Sequence, residues 1–516
     1  MRCGVMQPLV LAIDLGSGGP KVALVGLDGG IVAATARSVR TRTPEPDLAV
    51  QDPREIRQAI FDACRAVVAE SAARPDQVVA VACASQFASL IPIGADGTPS
   101  GDLILWLTRR GTPYSREVLA RRDDAFLRWL DVHGAVPMGN DPLSHLLFLA
   151  RERPEIWART ARVLEPADWL ALELTGQIAS NPCSAFLMLL TDNRCIDAVD
   201  WSPELLELAG VARDKLPDLV PVDACIGPLR ARIAAELGLR PGTPVFAPVN
   251  DTQAATVGAG ACEPGSGGAN IGTTIQILGS APGKHTDIET SIVSMPSPLR
   301  GEWMALAESG LGGKLLDHFL AQLVHTRDAL GDHGSNDIWF GIDRAVEQTP
   351  AGSSGLVYLP WLAGSQAPRT DAHMRGGFIG MSLETTRADM ARAVLEGVAC
   401  TLRWMLPAVE AFAGAPFARI AFSGGGATSD AWAEITANVL GRPVEQLETP
   451  RQTNTRGVAF LAFHRLGLVA RGDLARFRPV KRTWEPARAH SALYDALFHQ
   501  HKAAYDALEP LFRPTG

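Results

Sequence analysis

A strand, a turn of glycine beside a hydroxyl residue, and a second strand occur twice in this chain, 256 residues apart (Gly272 minus Gly16). The first copy, LVLAIDLGSGGPKVALVGLDGGIVAATARS, reads as a three-stranded meander with turns at Gly16-Ser17-Gly18 and at Asp28-Gly29-Gly30. In the second, Asn270-Ile271-Gly272-Thr273-Thr274 leads into the apolar run Ile275 to Leu278. Such self-similarity predicts an internal duplication, with two related α/β halves that each open on a hairpin. Two Gly-Ser/Thr turns facing each other would clamp a polyphosphate, because glycine lets an anion approach backbone N–H groups. Taken alone, the turn from Asp14 to Lys21 reads equally as an ordinary hairpin, where glycine and aspartate are common.

Near the midpoint, Val245 to Thr274 joins the two halves. An apolar strand ends in Asn250-Asp251, and small residues from Ala254 to Ala261 continue as a tightly packed helix. Glu263-Pro264-Gly265 then breaks the chain before the second glycine turn. Asp251 thus sits at a strand end, where it could serve as a ligand-facing carboxylate or as the cap of the following helix.

Two simpler nucleotide motifs are excluded. There is no Gly-Lys-Ser/Thr, and no G-x-G-x-x-G precedes a helix. The net charge is −8 with Lys and Arg dispersed, which argues against a nucleic-acid footprint, and no apolar run approaches the ~20 residues of a membrane span. The N-terminus is too short and polar for a secretory signal, so a cytoplasmic location is expected. Cysteines at 3, 64, 83, 183, 195, 225, 262 and 400 form no C-x-x-C and no zinc-ligand spacing, and read as reduced, mostly buried apolar residues. With 516 residues and 47% apolar content, two to four domains with substantial cores are available.

Between the hairpins, helical spacing runs from Ile56 to Ala72 after an Asp52-Pro53 start, and Gln77 to Ala82 is a buried strand ending at Ser85-Gln86. A mainly helical insertion is predicted from Ser115 to Leu190, including helices over Ser144 to Glu152 and Pro154 to Gly176, with another helix starting at Trp201-Ser202-Pro203. In the second half, a strand over Gly355 to Leu362 precedes a turn-rich loop, and Thr386 to Val409 is a long helix whose Gly397 implies close packing. Arg419 to Phe422 is a short strand followed by Ser423-Gly424-Gly425-Gly426 and a helix over Asp430 to Leu440. Strand, triple glycine and helix N-terminus form a third place where backbone can meet a flat or anionic ligand; a tight turn is the plainer alternative.

These segments together resemble the FGGY carbohydrate kinases, and most closely their xylulokinase-like members. The resemblance rests on Asp14 to Lys21, Gln51-Asp52-Pro53, Leu103 to Arg110, Asn250 to Thr274, LPWLAGSQAPRTDAHMRGGFIGMSLETTRADMARAVLEGVACTL from Leu359, and SGGGATSDAWAEITANVLGRPV from Ser423. It implies an α/β fold of two ribonuclease-H-like (actin-like ATPase) domains around a central cleft. The expected division is a sugar-binding and catalytic domain with a helical insertion over 1–260, and a nucleotide-binding domain over 261–516.

By the same resemblance, Asp251 is the general base that accepts the proton of the attacking sugar hydroxyl, and Asp14 holds Mg²⁺. Gly16, Ser17, Gly18 and Lys21 match the first phosphate segment, Gly272 and Thr273 the second, and Gly424, Gly425 and Gly426 the adenosine loop. Lys21 could otherwise be a solvated strand-start lysine. Pro20 departs from the hydroxyl residue frequently found there and removes an N–H donor. Gln86, Phe87, Arg110, Asn250 and Asp251 are the expected substrate contacts.

The sugar side departs further from the family. Ala88 stands where a sugar-contacting His is expected, Thr108 where Asp is general, Ser180-Asn181-Pro182-Cys183-Ser184 replaces an Asp-containing pattern, and Ser365-Gln366 replaces Glu-Arg. The expectation is therefore an ATP- and Mg²⁺-dependent kinase acting on a hydroxyl of a ketose or polyol, with a xylulose-like pentulose among the candidates. A non-catalytic sugar or nucleotide sensor on the same fold is the alternative. The expected partner is a small-molecule sugar or polyol, not nucleic acid or membrane, and a homodimer is among the allowed assemblies.

Overall fold

The computed structural model describes residues 7–71, 73–328, 331–335 and 337–513. In the first sheet Leu9–Gly16 pairs antiparallel with Gly19–Gly26, and that strand with Ile31–Ala36. On its other side Leu9–Gly16 runs parallel to Val78–Ser85, followed by the parallel Pro244–Phe246 and the antiparallel Cys225–Pro228. The second sheet repeats this arrangement. Ser266–Ile271 pairs antiparallel with Thr274–Ala281, and that strand with Trp303–Leu311. It also runs parallel to Arg419–Ser423, then come the parallel Val444–Leu447 and the antiparallel Val480–Trp484. The predicted duplication thus extends over six strand positions and not only the hairpins.

Burial explains the near-continuous apolar strands. Leu9 to Leu15 is buried throughout, as required of a strand covered on both faces. One face of the first sheet receives Pro53–Ser71 through Ile56, Ile60, Phe61, Cys64 and Val67. The other face is covered from far away in sequence: Val458 to Phe463, in the helix Thr453–Arg465, join Val10, Ala12, Ala80 and Ala82 in one core. This helix crosses Asp251–Gly258 at backbone contact. A Cβ on Gly457 would lie 1.9 Å from the Ala254 carbonyl oxygen, and one on Gly258 2.0 Å from that of Thr453. In the second half Arg387–Ala413 packs as Gly397 implied, since a Cβ there would meet the Tyr358 carbonyl at 2.4 Å.

One local expectation is corrected. Pro154 to Gly176 is not one helix: Pro154–Trp157 is followed by the strand Arg162–Leu164, paired with Ile91–Ile93, and a new helix Pro166–Thr175. Pro166 disfavours helical backbone at the residue before it and itself suits a first helical turn, so Glu165 is extended (φ −71°, ψ 155°). After the triple glycine the helix spans Asp430–Leu440, as expected. A 3₁₀ turn over Gly426–Thr428 intervenes, and Ser429 caps Asp430–Leu440.

Candidate active site

Strand register gathers the charged residues at one sheet edge. Asp14 lies opposite Lys21 on one side and Ala84 on the other, and Asn250 lies opposite Ser85 on Val249–Asn250. Four strands, Leu9–Gly16, Gly19–Gly26, Val78–Ser85 and Val249–Asn250, therefore bring Asp14, Lys21, Gln86 and Asp251 together at one end of the sheet, as open α/β sheets present ligand groups.

Asp251 begins the helix Asp251–Gly258 but does not cap it. Asn250 Oδ1 accepts from the Gln253 N–H at 2.8 Å, and Gln253 Oε1 accepts from the Asn250 N–H at 3.1 Å, a complete capping box. Asn250, expected among the substrate contacts, thus has its side-chain oxygen in the cap. Among the described residues the Asp251 carboxylate keeps a single hydrogen bond, from the Thr252 N–H at 2.9 Å. Burial, reinforced by the charges of Asp14 and Glu308, pushes Asp251 up to about 7, with the Thr252 N–H and Lys21 opposing.

Asp14 is 1% exposed. Its Oδ2 accepts from Lys21 Nζ at 3.2 Å and from Asn454 Nδ2 at 3.1 Å, while its Oδ1 is buried without a partner among the described residues. The Asp14 carboxylate holds the Lys21 ammonium above its ordinary range despite burial, with Asp251 adding and Arg451 opposing. A buried carboxylate oxygen with no donor fits a divalent cation, which commonly takes one or two protein carboxylates and completes its shell with phosphate oxygens and water.

The glycines leave backbone open where a nucleotide would lie. Gly19 has φ +127°, and a Cβ there would stand 2.1 Å from the Arg37 carbonyl, whereas a Cβ on Gly18 would meet nothing within 4 Å. In the second turn, the Thr273 and Gly272 carbonyls accept from the N–H groups of Gly312 and Gly313, each at 2.8 Å. Gly424 has φ +85°, and its Cβ would fall 2.4 Å from Asn270 Oδ1, so the triple-glycine loop seats directly on the strand Ser266–Ile271. Beside it a Cβ on Gly425 would meet nothing within 4 Å.

Ser17, expected in the first phosphate segment, and Gln86, expected among the substrate contacts, are joined: Ser17 Oγ donates to Gln86 Oε1 and accepts from Trp106 Nε1 at 2.9 Å, and the Ser17 carbonyl accepts from Gln51 Nε2 at 2.7 Å. The Gln86 amide nitrogen is buried without a partner among the described residues. Phe87 packs against the cluster that holds Phe186 and Ala255. Thr108 is buried and spends its hydroxyl on Ala49, accepting from the N–H and donating to the carbonyl at 3.0 Å each. The Arg110 guanidinium pairs with Glu152 and lies 3.8 Å from Glu45.

Several neighbours escape sequence reasoning. Asn454 reaches Asp14 from a helix 440 residues away. Behind the second turn, Asn270 Nδ2 donates to Gln276 Oε1 at 3.0 Å and Gln276 Nε2 to Glu308 Oε2 at 2.9 Å, and burial raises the Glu308 carboxyl. Trp106 and Gln51 lie in segments already singled out, which was their only signal.

The FGGY family of carbohydrate kinases matches over both of its parts, the N-terminal domain at residues 9–258 and the C-terminal domain at 268–466. The chain is 27% identical over 455 residues to a xylulose kinase of Bacillus subtilis (strain 168), covering 88% of this chain and 87% of that one. It is 25% identical over 474 residues to a gluconokinase of Bacillus licheniformis, covering 91% and 90%. The crystal structure of gluconate kinase from Lactobacillus acidophilus superposes with a TM-score of 0.84 over 98% of this chain and 99% of that one, at 22% identity. That likeness shows the actin-like fold.

Proposed function

The chain belongs to the FGGY family of carbohydrate kinases, phosphotransferases that act on sugar hydroxyls with ATP and a divalent metal, and from that premise we propose that it phosphorylates a hydroxyl of a ketose or polyol. The observation that carries the reading is the Asp251 carboxyl, released from helix capping by Asn250 at the same end of the sheet as Asp14 and raised by burial and by the Asp14 charge to about 7. A carboxylate so placed can accept the proton of the attacking hydroxyl, an effect worth roughly 10²–10⁴-fold in rate. Lys21 and the open backbone at Gly18 serve the transferring phosphates, and Gly424 to Gly426 accommodate the nucleoside. Mg²⁺, the metal we assign, would bind at Asp14 Oδ1 and neutralise phosphate charge.

In this reading residues 1–260 form the sugar-binding and catalytic lobe and 261–516 the nucleotide lobe, with Thr453–Arg465 returning to the first. No helix among the described residues is long and apolar enough to cross a membrane, and the assigned location is the cytoplasm. ADP release measured across pentuloses, hexuloses and polyols tests the proposal. Metal-dependent turnover on at least one is expected. ATP binding without turnover on any acceptor would overturn it in favour of a non-catalytic sensor.

A further inference from the structure

The buried amide of Gln276, on the strand Thr274–Ala281, meets three polar side chains at a junction between the two lobes. Its Oε1 accepts from Asn270 Nδ2 at 3.0 Å, while its Nε2 donates to Glu308 Oε2 at 2.9 Å and reaches Thr252 Oγ1 at 3.5 Å. Asn270 leads toward the nucleotide side. It lies opposite Ser423 in the pairing of Ser266–Ile271 with Arg419–Ser423, and its Oδ1 sits against Gly424 at the start of the triple-glycine loop. Thr252 leads toward the base. It stands in the first turn of Asp251–Gly258, and its N–H is the donor to the Asp251 carboxylate.

Packing alone does not call for an amide here. Two residues on, Leu278 shares the same face of the strand and packs with Ala255 and Ala259, so a hydrocarbon at 276 would bury as well. A buried amide is instead stable only with its partners in place, and Glu308 is set directly opposite Gln276 in the pairing with Trp303–Leu311. The first turn of the base helix is also tied to the second sheet at another point. Gln253, whose Oε1 completes the capping box, donates through Nε2 to the Pro296 carbonyl at 2.8 Å, at the end of Ile292–Pro296.

We propose that Gln276 is a positioning residue for phosphoryl transfer: anchored by Glu308, it sets the first turn of the Asp251 helix against the triple-glycine loop, so that base and nucleoside seat keep a fixed separation. The inference rests on the kinase reading above and adds to that site a residue acting through Thr252 and Asn270. A reacting group displaced by about 1 Å can lose ~10²-fold in rate. Gln276 therefore governs kcat, and the contacts that bind ATP and the acceptor are left in place without it.

Steady-state kinetics of the full chain with Mg·ATP and its best acceptor, beside calorimetric ATP binding without acceptor, test this. Gln276→Met keeps the length and removes the amide. It is expected to lower kcat at least ~10-fold while the ATP Kd and the acceptor KM stay within ~3-fold of wild type. Thr252→Val breaks the same link from its other end and is expected to show the same split with a loss of at least ~5-fold; should Gln276→Met fail to fold, it carries the test. In the double variant the two losses are expected not to multiply, leaving kcat within ~2-fold of Gln276→Met alone. A kcat within about twofold of wild type in folded Gln276→Met protein, a parallel loss of ATP or acceptor binding, or losses that multiply in the double variant would each overturn the proposal and leave the kinase reading standing. A wild type that binds ATP but turns over no acceptor would overturn the kinase reading and this inference with it.

Discussion

Asn454 donates to Asp14 Oδ2 at 3.1 Å, joining the first strand of the chain to a helix near its end. With Lys21 on the same oxygen, the bond leaves Oδ1 as the carboxylate's unengaged atom and fixes its direction. Asn454→Ala should therefore weaken metal use more than nucleotide binding. Hydrogen bonds to charged groups contribute about 1.5–3 kcal/mol, so the Mg²⁺ concentration for half-maximal rate should rise roughly 10-fold or more. A metal titration at saturating ATP and sugar checks this; an unchanged midpoint would remove Asn454 from that role.

Asp251 predicts the acid limb of the pH–rate profile. Its carboxyl is raised from an ordinary value of 3.8 to about 7, chiefly by burial and then by Asp14 and Glu308. As the proposed base, Asp251 works only when deprotonated, so the rate should fall as pH drops through a value below about 7, because a cation at Asp14 offsets the charge that helps raise the carboxyl. Asp251→Asn should lower kcat by at least ~10²-fold, leave nucleotide affinity nearly intact and abolish the acid limb. A few-fold loss of rate with the limb retained would assign the base elsewhere.

The duplication was legible because the Gly16 and Gly272 turns repeat a local pattern, and the strands that follow them are near-continuous apolar runs that are buried as such. The strand-end position of Asp251 and the place of Asp14 beside the first glycine turn were legible locally, while the base and metal roles expected of them rest on the family resemblance alone. Whether Asp251 capped its helix was not, because Asn250 and Asp251 are both good caps and only backbone geometry assigns the task to Asn250. Asn454 and Glu308 were hidden because they arrive from elements remote in sequence, and their roles depend on tertiary placement. The break at Glu165-Pro166 was readable from proline chemistry, but helical spacing on both sides masked it.

Gly457 and Gly258 predict a packing requirement at the crossing of Asp251–Gly258 and Thr453–Arg465. A Cβ on either would overlap a carbonyl oxygen of the other helix, at 1.9 and 2.0 Å, and backbone cannot turn aside as a side chain can. Gly457→Ala should cost about 1–3 kcal/mol or more, seen as a melting temperature lowered by roughly 3–10 °C, and should reduce kcat by displacing Asn454 and Asp251 on the two helices. An alanine variant as stable and active as wild type would show that the crossing tolerates separation.

Asp168 predicts a separate dependence of stability on pH, remote from the metal and phosphate groups. Burial raises its carboxyl from 3.8 to about 7, against the hydroxyls of Ser180 and Ser184. The folded state holds this proton more tightly than the unfolded chain. Its contribution is thus fully present below pH ~4, shrinks as the unfolded chain ionises, and is lost as pH rises through about 7. Asp168→Asn removes the ionisation and keeps an amide that can accept from one serine and donate to the other. The wild type should lose roughly 1–3 kcal/mol more stability than the variant between pH 5 and pH 8. Thermal midpoints at the two pH values measure the difference, and equal losses in both proteins would place the titrating group elsewhere.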